Sequence, residues 1–339
     1  MYALTLDGSD KVVNLPAQES VLDACLAQGL ELPYNCRSGE CGECLAQLQS
    51  GTVRQLPGSD PAVFTEAMRA QGMVLTCMCF ATSDLVLKVP LRQHSGPAIR
   101  QFDAVIESLV WHGPRTAQVR LRCPAPVEFE AGQYFEWHVQ GVAHARSYSV
   151  AVAPGSDRLE FMVRIYPGGQ ISAMLKRHEL APGDVVGLRG PFGTYRYDAA
   201  HPGLAVFVAG GTGIGPVLSL VQSALRSQEQ RRLLVLYGAR DTAEMASANA
   251  LQQWAARHAR LKFVPVLSDD PTDSAWQGLR GTAVDALQAQ RADFFGATAY
   301  LCGPPPMVEA AKKILLVKGV DAADVYYDRF APAASGAAS

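Results

Sequence analysis

Eight cysteines are spread unevenly along the chain: Cys25, Cys36, Cys41, Cys44, Cys77, Cys79, Cys123 and Cys302. The segment Asn35-Cys36-Arg-Ser-Gly-Glu-Cys41-Gly-Glu-Cys44 has the spacing C-x4-C-x2-C, and Cys77 follows at a distance. Four thiolates in that arrangement suit a [2Fe-2S] cluster, which needs one loop wrapped closely around it with amide N–H groups aimed at its sulfurs. Gly39 and Gly42 let the backbone turn and approach. Zinc is the rival, but structural zinc sites show two C-x2-C-like pairs or Cys/His pairs. Here C-x2-C occurs once, and no histidine lies between residues 1 and 93. Cys77 and Cys79 point to opposite faces of an extended segment, so one of the two ligates. Cys25, among apolar neighbours on a helix face, reads as core.

Two further constellations handle phosphates and flat rings. In Arg146-Ser147-Tyr148-Ser149, an arginine can fork onto a phosphate and a tyrosine on the same strand face can stack on a ring. Arg164-Ile-Tyr166-Pro-Gly168-Gly169-Gln-Ile-Ser172 sets adjacent glycines and a serine at a helix start, a natural anion cradle. Gly190-Pro191-Phe192-Gly193 reads as a rigid turn. Later, Gly210-Gly211-Thr212-Gly213-Ile214-Gly215-Pro216 passes from a strand into a helix, with backbone N–H groups free to meet a pyrophosphate and Pro216 in the first helical turn. It departs from G-x-G-x-x-G, and the next strand ends in Tyr237-Gly-Ala-Arg240-Asp241 without a clear ribose-binding acid. Tyr300-Leu-Cys302-Gly303-Pro304 ends another strand. Ser268-Asp269-Asp270-Pro271 carries two carboxylates that would repel a phosphate and so favour NADH if a nucleotide's ribose lies there, whereas Arg240 could reach a ribose or its phosphate.

Elements must hold these residues in place. At 339 residues the chain exceeds what one core organises. Residues 2–7 and 11–15 predict a hairpin, a helix follows from Ser20, and strands are expected at 45–48 and 85–89. From Phe102 to about Pro191, short strand patterns punctuated by Gly and Pro predict a small antiparallel barrel, with one helix near 171–178. From Leu204, short apolar runs alternate with helices at 217–225 and 246–258, as in a doubly wound parallel sheet whose last core strand ends at Cys302. The expected division is 1–92, a linker over 93–100, 101–200, 201–332 and a disordered tail over 333–339. A net charge of -2 gives no basic footprint for nucleic acid or an anionic membrane, and no apolar run suits a membrane span. The N-terminus shows no signal-peptide pattern, so a cytoplasmic location is expected.

The segments LPYNCRSGECGEC and VLTCMC resemble those of plant-type ferredoxins, a β-grasp-like fold whose fourth ligand is the first cysteine of the second segment. That implies Cys36, Cys41, Cys44 and Cys77 as ligands. The barrel and glycine motifs, in their order, resemble the ferredoxin-NADP reductase superfamily, with an FAD-binding β-barrel and an NAD(P)-binding α/β domain. The resemblance implies that Arg146 and Ser147 with Gly168, Gly169 and Ser172 meet FAD, that Tyr148 packs on its isoalloxazine ring, and that Ser149 lies near the flavin N5. FMN is the alternative flavin. Gly211, Thr212, Gly213, Gly215, Arg240 and Gly303 are implied in nucleotide binding, Cys302 beside the nicotinamide C4, and Phe330 over the flavin face. The superfamily often has glutamate where Asp328 stands. The order of all three domains resembles the reductase components of bacterial ring-hydroxylating oxygenases. It implies a reductase that passes electrons from NAD(P)H through flavin and cluster to a ferredoxin or a terminal oxygenase. Similar modules serve soluble monooxygenases and deoxysugar dehydratases, and a redox sensor or carrier without turnover is the other alternative. The loop 37–43 is the expected docking surface for the acceptor.

Overall fold

The computed structural model describes residues 1–9, 11–30, 32–35, 37, 39, 41–61, 63–89, 96–227, 230–270 and 275–330. They fall into two compact units, Met1–Gly96 and Pro97–Phe330. The predicted linker start, Cys36 and the predicted tail lie outside the described residues.

In the first unit, β1 (Tyr2–Leu6) and β2 (Val12–Leu15) form the expected hairpin. Ser20 caps α1 (Val21–Ala27) by accepting a hydrogen bond from Asp23 N. Then come β3 (Leu45–Ser50), β4 (Val53–Gln55), α2 (Glu66–Ala70), β5 (Met73–Leu75), β6 (Cys79–Ala81) and β7 (Leu85–Lys88). The main sheet has the order β2-β1-β7-β3-β5, with β1 and β7 parallel, and β4 pairs with β6 separately. Leu4, Leu6, Leu85 and Leu87 alternate into the core, the period-2 burial of a one-faced sheet, and Leu22, Ala24 and Cys25 of α1 are buried as well.

The second unit opens with a six-stranded antiparallel sheet. Its strands are β8 (Arg100–His112), β9 (Thr116–Arg122), β10 (Tyr134–His138), β11 (Arg146–Ser149), β12 (Arg158–Arg164) and β13 (Val185–Phe192), in the order β11-β10-β13-β8-β9-β12. A bridge between Val150 and Phe161 joins the two edges and closes the barrel. Its core is aromatic, with Trp137 edge-on to Phe161 at 5.0 Å. Ile171 and Leu175 of α3 (Gln170–Lys176) join it. Gly190 and Pro191 do not form a turn: both lie inside β13, and Gly190 is needed because a Cβ there would stand 2.6 Å from the Phe135 ring.

The chain continues through β14 (Ala205–Gly210), α4 (Ile214–Arg226), β15 (Leu233–Ala239), α5 (Ala248–Arg257), β16 (Leu261–Leu267), β17 (Leu279–Arg280), α6 (Ala283–Gln288), β18 (Thr298–Gly303), α7 (Pro305–Val317) and β19 (Val325–Arg329). The sheet is parallel throughout, in the order β17-β16-β15-β14-β18-β19. Along β14, Ala205, Phe207 and Ala209 face a core shared with α4 and α5, whereas Val206 and Val208 face one shared with α6 and α7. This is the doubly wound arrangement, but β18 is not its last strand: β19 extends the sheet and carries Asp328. Strand order reverses between β14 and β18, the switch point where open α/β sheets bind ligands. Among the described residues no helix is long and apolar enough to cross a membrane.

Candidate redox site

The cysteine loop leaves α1 through strained backbone. Arg37 adopts φ 56° and forms an ion pair with Asp23 of α1, while Gly39 and Gly42 both have φ 78°. Space as well as conformation demands the second glycine, because a Cβ at Gly42 would lie 2.9 Å from Val63 Cγ1. Thr76 locks the far segment onto the loop: its N donates to Cys44 O at 3.1 Å and its Oγ1 to the same oxygen at 3.2 Å. That brings Cys44 Sγ and Cys77 Sγ to 3.1 Å, too long for a disulfide. Two buried sulfurs held side by side without a bond fit a cluster that takes its thiolates in pairs, one pair for each iron. Cys41 is buried nearby in sequence, and Cys36 lies outside the described residues. No group of three or more His, Cys, Asp or Glu among the described residues is placed to hold one metal ion, so the fit rests on the Cys44–Cys77 pair. Cys79 is fully buried in β6. The loop is less open than its sequence suggests: none of the described residues between 37 and 43 is exposed, and the Arg37 side chain retains only 9% of its accessible surface.

On the barrel, β11 pairs with β10 so that Phe135 opposes Tyr148 and Trp137 opposes Arg146. The Tyr148 ring leans on Trp137 at 4.7 Å, and burial pushes its hydroxyl above the usual tyrosine range, so it stays a neutral aromatic face. Arg146 Nη1 donates to the carbonyls of His144 and Ala145, and Nη2 donates to Gln170 Oε1 at 3.2 Å. The guanidinium is therefore fixed beside the start of α3. Gly169 caps that helix, and a Cβ there would stand 2.4 Å from Ser172 Oγ and turn that hydroxyl away. Gly168, at φ 78°, has open space beside it. A guanidinium aimed at a glycine-lined helix start fits a phosphate. Ser147 is exposed on the other strand face.

Ser149 also points away from Tyr148, toward the parallel sheet, and its Oγ donates to Asp328 Oδ2 at 3.4 Å. Asp328 stands opposite Cys302 in the β18–β19 register. Cys302 is fully buried, and burial, with Asp328 adding, pushes its thiol well above the ordinary range and keeps it protonated. Phe330 N donates to Gly303 O at 2.9 Å, which seats the last described residue at the same edge. The resemblance left the role of Asp328 open because the superfamily often has glutamate there; the structure seats it on β19 opposite Cys302.

The glycine turn meets this group directly. Gly211 adopts φ 56° beside open space, and Thr212 is buried. A Cβ at Gly213 would stand 2.2 Å from Cys302 O, and one at Gly303 3.1 Å from Gly210 N and O. The turn therefore packs backbone to backbone against the end of β18, with Gly215 one step into α4. That is a cradle for a pyrophosphate at the switch point. Arg240 is set apart at the exposed end of β15, where Asp269 N donates to its carbonyl at 2.8 Å. The pair of repelling carboxylates is reduced to one, because Asp270 forms a salt bridge with Arg280 at 3.0 Å.

Family comparisons agree with this layout. The 2Fe-2S iron-sulfur cluster binding domain matches residues 4–82, the oxidoreductase FAD-binding domain 107–197 and the oxidoreductase NAD-binding domain 207–313. The reductase component of phenol 2-monooxygenase from Pseudomonas sp. strain CF600 is 31% identical over 341 residues, covering 99% of this chain and 96% of its own length. Reductase component 2 of terephthalate 1,2-dioxygenase from Comamonas sp. is 32% identical over 344 residues, with 99% of both chains covered. Among solved structures, the Amycolatopsis cytochrome P450 reductase GcoB superposes with a TM-score of 0.87 at 29% identity, covering 98% of this chain and all (100%) of that one. The ferredoxin reductase of carbazole 1,9a-dioxygenase gives 0.79 at 28%, covering 97% and 98%. With three cofactor modules in one order and relatives matched end to end, the chain belongs to the family of flavin- and iron-sulfur-dependent oxidoreductases that serve as reductase components of oxygenase systems.

Proposed function

We propose that this chain is the cytoplasmic, NADH-preferring reductase of an aromatic-hydroxylating system and delivers single electrons directly to the terminal oxygenase. When bound, the nicotinamide supplies a hydride, FAD takes two electrons and releases them singly, and the [2Fe-2S] cluster relays one at a time. The residues provide position and environment. Cys36, Cys41, Cys44 and Cys77 hold the cluster in a domain spanning 1–92. In 101–200, Arg146, Ser147, Gly168, Gly169 and Ser172 hold the flavin phosphates and Tyr148 backs the ring. In 201–332, Gly211, Thr212, Gly213, Gly215 and Gly303 seat the dinucleotide and Arg240 reaches its ribose. Ser149, tied to Asp328, orients the reacting edge; the neutral Cys302 thiol adds no charge beside the nicotinamide; Phe330 covers the flavin face until the donor arrives.

The observation that carries this reading is the meeting of Ser149, Asp328, Cys302 and the glycine turn at one sheet edge. The fused cluster domain puts a one-electron carrier on the chain itself, which supports the direct route. Aromatic compounds appear in the names of several relatives, including an aromatic O-demethylase reductase subunit from Amycolatopsis. Matches to the reductase of propane 2-monooxygenase, as from Gordonia sp. strain TY-5, favour a second reading in which the partner is a soluble monooxygenase. A single-turnover experiment separates the acceptors. Pre-reduced protein mixed anaerobically with an oxygenase component is expected to lose its cluster electron without added ferredoxin. Transfer that occurs only when ferredoxin is supplied contradicts the direct route.

A further inference from the structure

Glu244 follows Arg240 and Asp241 in the segment leaving β15, and its side chain is only 5% exposed. Two arginines of the barrel meet it. Arg115, in the β8–β9 turn, places Nε 2.5 Å from Oε1, and Arg164, the last residue of β12, places Nη1 3.4 Å from Oε2. Gly113 makes room in that turn, with φ 62° and an added Cβ that would sit 3.2 Å from Glu244 Cγ. On the barrel side, Ile165 N donates to Arg115 O at 2.9 Å, so both arginines are braced to the start of the loop that leads to Gly168 and Gly169. On the other side, Glu244 N donates to Asp241 Oδ1 at 2.9 Å and Tyr237 Oη to Glu244 O at 3.4 Å, which ties the carboxylate to the segment bearing Arg240. A buried carboxylate is tolerated only while its cations stay in place, so the two loops cannot shift independently without stranding a desolvated charge.

We propose that Glu244 is a positioning residue that couples the two cofactor loops: through Arg115 and Arg164 it holds the Arg240 segment in register with the flavin-phosphate loop, so that FAD and NAD(H) each tighten the binding of the other. The inference rests on the assignment of those loops to FAD and NAD(H) made above. Coupling of this kind is reciprocal by linkage, and a buried clamp supports a factor of about ten.

The test follows FAD release from the full-chain holoenzyme after dilution, by the gain in flavin fluorescence, with and without saturating NAD+. In the unaltered protein NAD+ is expected to slow release about tenfold. In Glu244→Gln this protection is lost while the cluster spectrum is unchanged. Arg115→Gln, which keeps Arg164 against Glu244, loses it as well and carries the test if Glu244→Gln does not hold flavin. Equal protection in all three proteins overturns the coupling, as does its absence from the unaltered protein. The underlying assignment fails separately, and visibly, if NADH does not bleach the flavin of the unaltered holoenzyme.

Discussion

Cys77 and Cys79 stand two positions apart and end in different surroundings. Cys77 Sγ meets Cys44 Sγ across a segment pinned by Thr76, whereas Cys79 is sealed inside β6. Cys77→Ser is therefore expected to abolish the cluster's visible absorption and its paramagnetic signal after reduction, while Cys79→Ser keeps both; the reverse pattern would move the fourth ligand. At the edge proposed to face the flavin, Ser149→Ala removes the hydroxyl that ties β11 to Asp328. Stopped-flow flavin reduction at saturating NADH should slow about 100-fold with little change in nucleotide affinity, since misplacement of a reacting edge acts on the rate. Cys123, in the barrel core, reports on pH. Burial, with Asp157 adding, pushes its thiol up to about 12 from an ordinary value of 9.0. Above pH 9 the unfolded chain loses this proton and the folded chain keeps it, so stability is full below pH 9 and falls as pH rises toward 12, by up to about 1.4 kcal/mol per unit. Denaturant unfolding between pH 8 and 10 should show a shallower decline in Cys123→Ala.

Backbone proximity governs the elements. Gly213 has an ordinary helical backbone, so alanine there is opposed by space alone, with Cys302 O 2.2 Å and Gly303 N 2.8 Å from the added Cβ. Gly213→Ala is expected to cost about 3 kcal/mol and to lower the melting temperature of the reductase unit by about 6–12 °C, with nucleotide binding lost alongside. Gly211→Ala, in open space at φ 56°, should cost far less, about 1 kcal/mol, by calorimetry. The same contrast marks what a sequence reveals. The barrel strands, β14, β15, β16 and β18 of the parallel sheet, the helix capped by Ser20, the cysteine spacing and the glycine turn were legible, because alternation, caps and turns are written in neighbouring residues. Pairings between distant residues were not. Nothing near Asp328 announces that β19 will lie beside Cys302, nothing near Asp270 announces Arg280, and Glu244 looks like one surface acid among many until Arg115 and Arg164 close on it. Gly190 read as a turn because glycine before proline usually is one; it is small instead for the Phe135 ring.

At the scale of the whole molecule, the three modules solve one problem of electron number. The nicotinamide donor gives two electrons together and the cluster accepts one, so a flavin must stand between them. The domain order supplies that sequence, and the switch point between β14 and β18 brings the glycine turn to the barrel edge where Ser149 lies. Donor choice follows from the charges around Arg240: Asp269 remains exposed there, whereas Asp270 is neutralised by Arg280. One carboxylate against one guanidinium leaves opposing charges at this edge, so the NADH preference proposed above rests on Asp269 lying closer to the ribose than the Arg240 side chain. The most direct test is an anaerobic titration of the full-chain protein with NADH and, separately, NADPH, followed by visible absorption and by the paramagnetic signal of the reduced cluster. Bleaching of both the flavin bands and the broad cluster absorption, at lower NADH than NADPH, is the predicted result. A flavin that bleaches while the cluster stays oxidised, or a colourless protein containing zinc, would contradict it.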